Sequence, residues 1–181
     1  DKRISPHFLN AGIGWGGSCF TKDLSALINK ADSVNYRPKM LEEVMSLNKK
    51  QRLKIIEKLK NKTKIKGKKI AILGLAFKPD TDDLRDAPSI DIISALLKEG
   101  VKIAAYDARA TENMKKLFPN IEYGNIHNVL KDSSACLILT ESEEFKKLSD
   151  KDFSVMKEKI IIEGRKVLDK NKIKNFEGVS W

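Results

Sequence analysis

The chain is poor in several things that whole classes of protein depend on. It has only two cysteines, Cys19 and Cys136, widely separated, which make no disulfide framework and fit a reducing cytosol. A cytoplasmic location is therefore expected. Its two histidines, His7 and His127, have no ligand-spaced partners, which argues against a metal site. No apolar run approaches the roughly 18 residues of a membrane span, and no charged-then-apolar leader opens the chain, so a soluble protein without a membrane partner is expected. Nowhere does Gly-x-Gly-x-x-Gly follow a strand-like run, so a full dinucleotide fingerprint is missing. Asp1-Lys-Arg-Ile4 opens without methionine and without a folding unit ahead of the first glycines, so a piece of a longer protein is expected.

Aromatic residues are also sparse, at 7% of the chain, although the net charge is +10 from 35 basic and 25 acidic residues. Basic chains attract polyanions. A basic α/β nucleic-acid-binding module with an inert Cys19 is therefore the competing class. The aromatics, however, are not interleaved with the lysines as a base-stacking platform requires. Most lysines fall on solvent-facing helix positions or in the run from Lys58 to Lys69, so a solvated face and no nucleic-acid partner are expected.

Against these absences stands one dense stretch, Gly12-Ile-Gly-Trp-Gly-Gly-Ser-Cys-Phe-Thr-Lys-Asp23. Gly14, Gly16 and Gly17 make a loop without side-chain bulk, which lets a ligand approach the backbone. Leu24, Leu27, Ile28 and Ala31 then predict a short helix, with Thr21, Lys22 and Asp23 in or just before its first turn. Cys19 thus sits where a glycine loop feeds a helix N-terminus, with a lysine three residues on, and both features favour a thiolate. A lone intracellular cysteine is more often a small buried hydrophobe. Cys136, inside Ala135-Cys-Leu-Ile-Leu139, fits that description. Cys19, flanked by glycine, serine and charge, reads as a nucleophile.

After Tyr36-Arg-Pro38, residues Leu41, Val44, Asn48, Gln51 or Arg52, Ile55 and Leu59 step at helical intervals. They predict one helix of about 22 residues, roughly 33 Å long, with Asn48 polar on its seam. It is either a core helix or one that pairs with its twin, where Asn48 would fix register. Residues 61–69 form a boundary, giving two units, 1–62 and 63–181. Beyond it, strands are predicted over 69–74, 101–106, 135–140 and 159–162. Helices are predicted over 88–99, 110–117, 126–131, 143–156 and 168–174. This alternation specifies an α/β fold, a Rossmann-like parallel sheet covered by helices on both faces, preceded by the helical segment. Ligands bind at the first strand-to-helix turn of such a sheet, here Gly74-Leu-Ala-Phe-Lys78. Asp82 and Asp83 are either solvated charges or ligand contacts, and Asp107 is either a turn residue or a ligand contact.

Three stretches carry a family resemblance. Gly16-Gly-Ser-Cys-Phe-Thr-Lys-Asp23 resembles the catalytic cysteine loop of the UDP-glucose/GDP-mannose dehydrogenase family. Leu73-Gly-Leu-Ala-Phe-Lys-Pro-Asp-Thr-Asp-Asp-Leu-Arg85 resembles the loop opening its nucleotide-sugar-binding domain, and Ile162-Glu-Gly-Arg165 is similar to its late Asp-Gly-Arg stretch. The resemblance covers the whole chain but only the C-terminal half or so of the family. It implies a UDP-binding Rossmann-like domain and a homodimer through the long central helix. It also implies oxidation of the C6 alcohol of UDP-glucose to UDP-glucuronate, with NAD bound mainly by an N-terminal domain absent from this sequence. GDP-mannose and UDP-N-acetylhexosamine are the alternative substrates; Phe20, where leucine also occurs, leans towards UDP-glucose.

The resemblance also assigns residues. Cys19 adds to the aldehyde intermediate, giving a thiohemiacetal and then a thioester. Lys22 stabilises thiolate or oxyanion charge and Asp23 positions or deprotonates the hydrolytic water, although both also suit plain first-turn charges. Arg3, sixteen residues before Cys19, matches an arginine that reaches the sugar nucleotide across a subunit interface. Phe8, Leu9, Asn10, Gly12, Gly14, Trp15 and Gly16 match the sugar-pocket loop. Phe77 and Lys78 match a pair that closes on the UDP-sugar, Arg165 an arginine that meets it from the interface side, and Arg85 one that reaches NAD. Three departures stand out: Thr21 replaces a proline and gives up its preset φ, Ser142 replaces a tryptophan, and Glu163 replaces an aspartate. An acidic residue, a lysine and an asparagine that the family relies on lie upstream, so these residues alone are expected to bind UDP-sugar weakly and oxidise nothing.

Overall fold

A computed structural model gives the fold and describes residues 2, 4 and 9–180. Arg3 and Phe8 lie outside the described residues. Six strands, β1 (Lys69–Leu73), β2 (Lys102–Tyr106), β3 (Glu122–Tyr123), β4 (Ala135–Ile138), β5 (Ile160–Glu163) and β6 (Glu177–Gly178), form one sheet. Every pairing is parallel and the order is β3-β2-β1-β4-β5-β6. The direction of winding reverses between β1 and β4. This is the Rossmann-like sheet that the alternating pattern implies.

The central strands are near-continuous apolar runs because both of their faces are covered. On one face Ile70, Ile72, Ile103, Leu137 and Ile162 share a core with Ile92, Ile93 and Leu96 of α3 (Pro88–Lys98) and Met114 of α4 (Thr111–Leu117). On the other, Ala71, Leu73, Cys136 and Ile138 meet Val129 and Leu130 of α5 (Ile126–Leu130), together with Phe145 and Phe153. Full burial pushes the thiol pKa of Cys136 upward, which keeps it protonated and inert. α3 starts on Pro88 at its first position and is closed by Gly100 at φ 73°.

Ahead of the sheet stand α1 (Ser18–Asp32) and α2 (Lys39–Lys62). α2 buries Asn48, Arg52, Ile55, Ile56 and Leu59, and the last three belong to the α3-side core of the sheet. Its N-terminal half stands clear, with Met40 80% and Leu47 54% exposed. α1 buries none of its residues. It also begins earlier than the apolar periodicity implies, so Cys19 lies inside its first turn.

Two predicted helices are absent. Residues 143–156 form two short 3-10 turns, Phe145–Lys147 and Asp152–Val155. Between them the backbone N and the Oγ of Ser149 both donate to Asp152 Oδ2, each at 2.8 Å. That local capture competes with helical bonding. Residues 168–174 make a single turn, in which the Asp169 carbonyl accepts from the amides of Lys172 and Ile173, both at 3.0 Å. The two-residue edge strands β3 and β6 are additions that no sequence period announces.

Candidate functional site

The glycine loop is held across the C-terminal end of β5 by backbone and by one face of α2. Ile13 N donates to Gly164 O at 3.0 Å, and the Ile13 side chain is 1% exposed. Asn48 Oδ1 accepts from Trp15 N at 2.8 Å while its Nδ2 donates to Trp15 O at 3.1 Å. Gln51 Nε2 donates to Gly12 O at 2.8 Å and Arg52 Nη2 to Trp15 O at 2.7 Å. Asn48, Gln51 and Arg52 were not predicted as site residues. The available signal was three polar residues at helical spacing inside an apolar stripe, next to a loop whose backbone groups need partners.

Arg52 is the buried anchor of this arrangement, 3% exposed. Its Nη1 bonds Asp86 and Asp91 at 2.7 Å each. Burial alone would lower its pKa, but the bonds and charges of the two carboxylates outweigh that and raise it. Burial likewise pushes Asp86 up, and is outweighed by hydrogen bonds from Arg52 and Thr21 and by the Arg52 charge, so its pKa is lowered. Among the described residues, the buried side-chain atoms without a hydrogen-bond partner are Trp15 Nε1 and Arg52 Nε. Both belong to this cluster, and such orphans concentrate at functional sites.

Loop, helix and β5 end together wall a cavity of about 710 Å³. Leu9, Asn10, Gly12, Gly14 and Trp15 line it with Phe20, with Val44, Leu47, Lys50 and Lys54 of α2, and with Arg165. Among the described residues its charged lining is Lys50, Lys54 and Arg165, with no carboxylate. Arg165 Nη2 donates to Gly14 O at 2.6 Å. Desolvation lowers its pKa, partly opposed by Glu141. The turn that presents Arg165 is fixed by Glu163, whose buried carboxylate accepts from the amides of Val167 and Leu168 at 2.8 Å each. A Cβ on Gly12 would stand 2.7 Å from Arg165 Nη1, so the absence of a side chain there is what admits the guanidinium.

Gly16 and Phe77 lie beside this cavity rather than in its wall. A Cβ on Gly16 would be 2.9 Å from Phe77 Cβ, and one on Gly17 would be 2.8 Å from the Phe77 ring. Phe77 is thus the floor on which the glycine pair rests. Lys78 Nζ lies 5.4 Å from the Phe77 ring centroid and faces a separate cavity of about 310 Å³ with Asp107, Arg109 and Glu144.

Cys19 is exposed in the first turn of α1. That turn has no acidic residue and no side-chain cap, so its free N–H groups and positive dipole end face the thiol's surroundings. The next residue, Phe20, meets Trp15 edge-on at 6.3 Å and joins the cysteine turn to the cavity. Lys22 and Asp23 are exposed and pair with each other at 3.5 Å. Arg85 accepts a bond from Gly17 N on its carbonyl at 2.9 Å. Its guanidinium is gripped by Asp83, Nη2 to Oδ2 at 2.7 Å. Hydrogen bonding to Asp83 and its charge raise the Arg85 pKa. Asp82 is occupied by Asn113 Nδ2 at 3.0 Å.

At the base of the sheet's own crevice, polar side chains are bonded within the fold. Asp107, at the end of β2 where a ribose-binding acid would stand, accepts from Leu75, Ala76, Arg109 and Ala110 amides at 2.8 to 3.2 Å and is a turn residue. Thr140 Oγ1 bonds Ala76 O at 2.8 Å, and a Cβ on Gly74 would meet the Thr140 side chain at 2.6 Å. Hydroxyl and backbone thus meet in the gap between β1 and β4. Among the described residues no cluster of His, Cys, Asp and Glu could hold a metal, and no helix is long and apolar enough to cross a membrane.

The UDP binding domain of the UDP-glucose/GDP-mannose dehydrogenase family matches residues 71–170, and the family's central domain matches residues 1–50. The chain belongs to this family. The glycine loop and Cys19 fall within the central-domain match, and Phe77, Lys78, Arg85 and Arg165 fall within the UDP-binding-domain match. The UDP-glucose 6-dehydrogenase AglM of Haloferax volcanii is 40% identical over 180 residues, which are 99% of this chain and 42% of the relative. TuaD of Bacillus subtilis, also a UDP-glucose 6-dehydrogenase, is 43% identical over 169 residues, 91% of this chain and 37% of TuaD. A UDP-glucose dehydrogenase from the hyperthermophilic archaeon Pyrobaculum islandicum superposes with a TM-score of 0.88 at 29% identity, covering 100% of this chain and 41% of the other. The chain therefore spans about two fifths of the length of the relatives it matches.

Proposed function

We propose that the chain supplies the UDP-sugar cavity and the nucleophile of an NAD-dependent UDP-glucose 6-dehydrogenase, with residues 1–62 providing the cysteine loop and central helix and 63–181 the UDP-binding domain. The observation that carries this is the cavity under the glycine loop, where Lys50, Lys54 and Arg165 are the charged residues and Leu9, Trp15 and Phe20 supply apolar surface. Three cations with aromatic walls suit a planar base joined to a diphosphate. Arg3 and Phe8 are assigned to the same pocket by family match alone. Phe77 supports the pocket from beneath the loop, and Lys78, which faces the neighbouring cavity, is assigned to phosphate by family match alone.

NAD would be held mainly by residues outside this chain, with Arg85 as its contact here, and would supply hydride-accepting chemistry, one equivalent for each of the two oxidation steps. This chain's own task is to keep the aldehyde from escaping. The Cys19 thiolate adds to the C6 carbonyl carbon, forming a C–S bond as the carbonyl oxygen becomes an oxyanion. Lys22 stabilises that charge, and Asp23 orients and deprotonates the water that later cleaves the thioester. Such a protein is cytoplasmic, in keeping with two free thiols. The exposed apolar residues of α1 and α2, Leu27, Met40 and Leu47 among them, suit a homodimer through the long helix.

The test is protection of Cys19 from iodoacetamide. UDP-glucose is expected to slow labelling in proportion to its occupancy, with GDP-mannose and UDP-N-acetylglucosamine as competing titrants that rank the substrate. Random oligonucleotide that binds with a steep salt dependence, together with no effect of any nucleotide sugar, would replace this reading with a nucleic-acid module. These 181 residues alone are expected to bind and not to reduce NAD.

A further inference from the structure

Something must hold the turn that carries Cys19, because α1 itself buries no residue and has no side-chain cap. One tie is the bond from Gly17 N to Arg85 O at 2.9 Å. The other is made by a side chain: Thr21 Oγ1 donates to Asp86 Oδ2 at 2.5 Å. Asp86 is in turn held on its other oxygen by Arg52 Nη1 at 2.7 Å. Its backbone stands at φ 50°, a conformation that costs energy in a residue with a side chain and persists only where the surroundings fix it. Arg52 closes the chain of contacts by also bonding Trp15 O, in the wall of the cavity, at 2.7 Å.

We propose that Thr21 is a positioning residue, and that the relay Thr21–Asp86–Arg52 sets the cysteine turn against the glycine loop. The proposal rests on reading Cys19 as the nucleophile only for its chemical consequence; the mechanical part stands on its own. A proline at position 21 would preset the backbone but offer no donor to Asp86. Threonine takes the other route, leaving φ free and fixing the turn through its hydroxyl. The buried end of the relay is rigid because Arg52 is 3% exposed and bonded to two carboxylates and a carbonyl. The exposed end is the first turn of α1, two residues from the thiol.

The experiment compares Thr21→Val, which removes the hydroxyl and keeps the shape, with Thr21→Ser, which keeps the hydroxyl. Two readouts are taken: amide hydrogen exchange at Lys22, Asp23 and Leu24, and the rate of Cys19 labelling by iodoacetamide. A bond to a carboxylate lost from one turn is expected to speed exchange there by about tenfold in the valine variant. Labelling is expected to slow several-fold as the thiol leaves the helix end, and serine is expected to restore both. Melting temperature serves as the folding control. Unchanged exchange in the valine variant overturns the relay, as does a serine variant that exchanges like valine. Labelling in the valine variant as fast as in the parent, with exchange altered, overturns the claim that the relay positions the thiol. If parent Cys19 reacts no faster than free cysteine while exchange responds as expected, the relay stands and the nucleophile reading falls.

Discussion

The carboxamide of Asn48 bonds both backbone groups of Trp15, accepting from its N–H at 2.8 Å and donating to its C=O at 3.1 Å. One side chain thereby gives a loop residue the pair of bonds that a neighbouring strand would give. Asn48 is 6% exposed and the loop has no regular secondary structure of its own at this point. Replacing Asn48 with alanine is expected to destabilise the fold by about 2 kcal/mol, two net hydrogen bonds' worth, read by urea unfolding. UDP affinity is expected to fall as well, because Gly14 and Trp15 line the cavity.

Gly12 tests how tightly the loop and Arg165 are fitted. An alanine Cβ there would stand 2.7 Å from Arg165 Nη1 and 2.8 Å from Gly164 O, and the second is backbone that cannot swing away. Gly12→Ala is expected to cost about 1–3 kcal/mol by overpacking. UDP binding, followed calorimetrically, is expected to weaken with it.

Arg165 is expected to carry much of the attraction for diphosphate. Arg165→Met should weaken UDP binding by about tenfold to a hundredfold and flatten its salt dependence. Arg165→Lys should recover only part, since a single ammonium cannot meet both the Gly14 carbonyl and a ligand as a planar guanidinium can. Equal affinity in parent and methionine variants would show that the cavity does not hold the diphosphate.

Asp86 gives a signed pH dependence. Its folded pKa is held below the ordinary carboxylate value, since the bonds from Arg52 and Thr21 and the Arg52 charge outweigh burial. Its contribution to stability is therefore fully present above the unfolded value of about 3.9 and is lost as pH falls through the folded one. The gap in melting temperature between the parent and Asp86→Asn is expected to be constant near neutrality and to close below about pH 4. A gap that widened on acidification would contradict the assignment.

How much of this was legible in the sequence depends on how far each signal is local. The four central strands announce themselves because both faces are buried, so Ile70-Ala-Ile-Leu73 and Ala135-Cys-Leu-Ile138 are apolar throughout. β3 and β6, Glu122-Tyr123 and Glu177-Gly178, pair two residues each and owe their place to a neighbour already in position. The absent helix over 143–156 has Phe145, Leu148 and Phe153 all buried, but the step from Leu148 to Phe153 is not helical, and Ser149 with Asp152 diverts the backbone. At the site, the glycine loop and Arg165 could be found from motif. Asn48, Gln51 and Arg52 were marked only by their polar spacing within an apolar stripe, because the loop atoms and carboxylates they bond lie more than 30 residues away.

The two outer strands have a consequence beyond topology. Each pairs only two residues and begins with a glutamate that a lysine holds, Glu122 by Lys69 and Glu177 by Lys58 and Lys62. An open parallel sheet otherwise invites further chains to zip onto its margins and grow into fibrils. Margins this brief and this polar leave almost no template for such growth, so crowding in solution should not drive this sheet to recruit copies of itself.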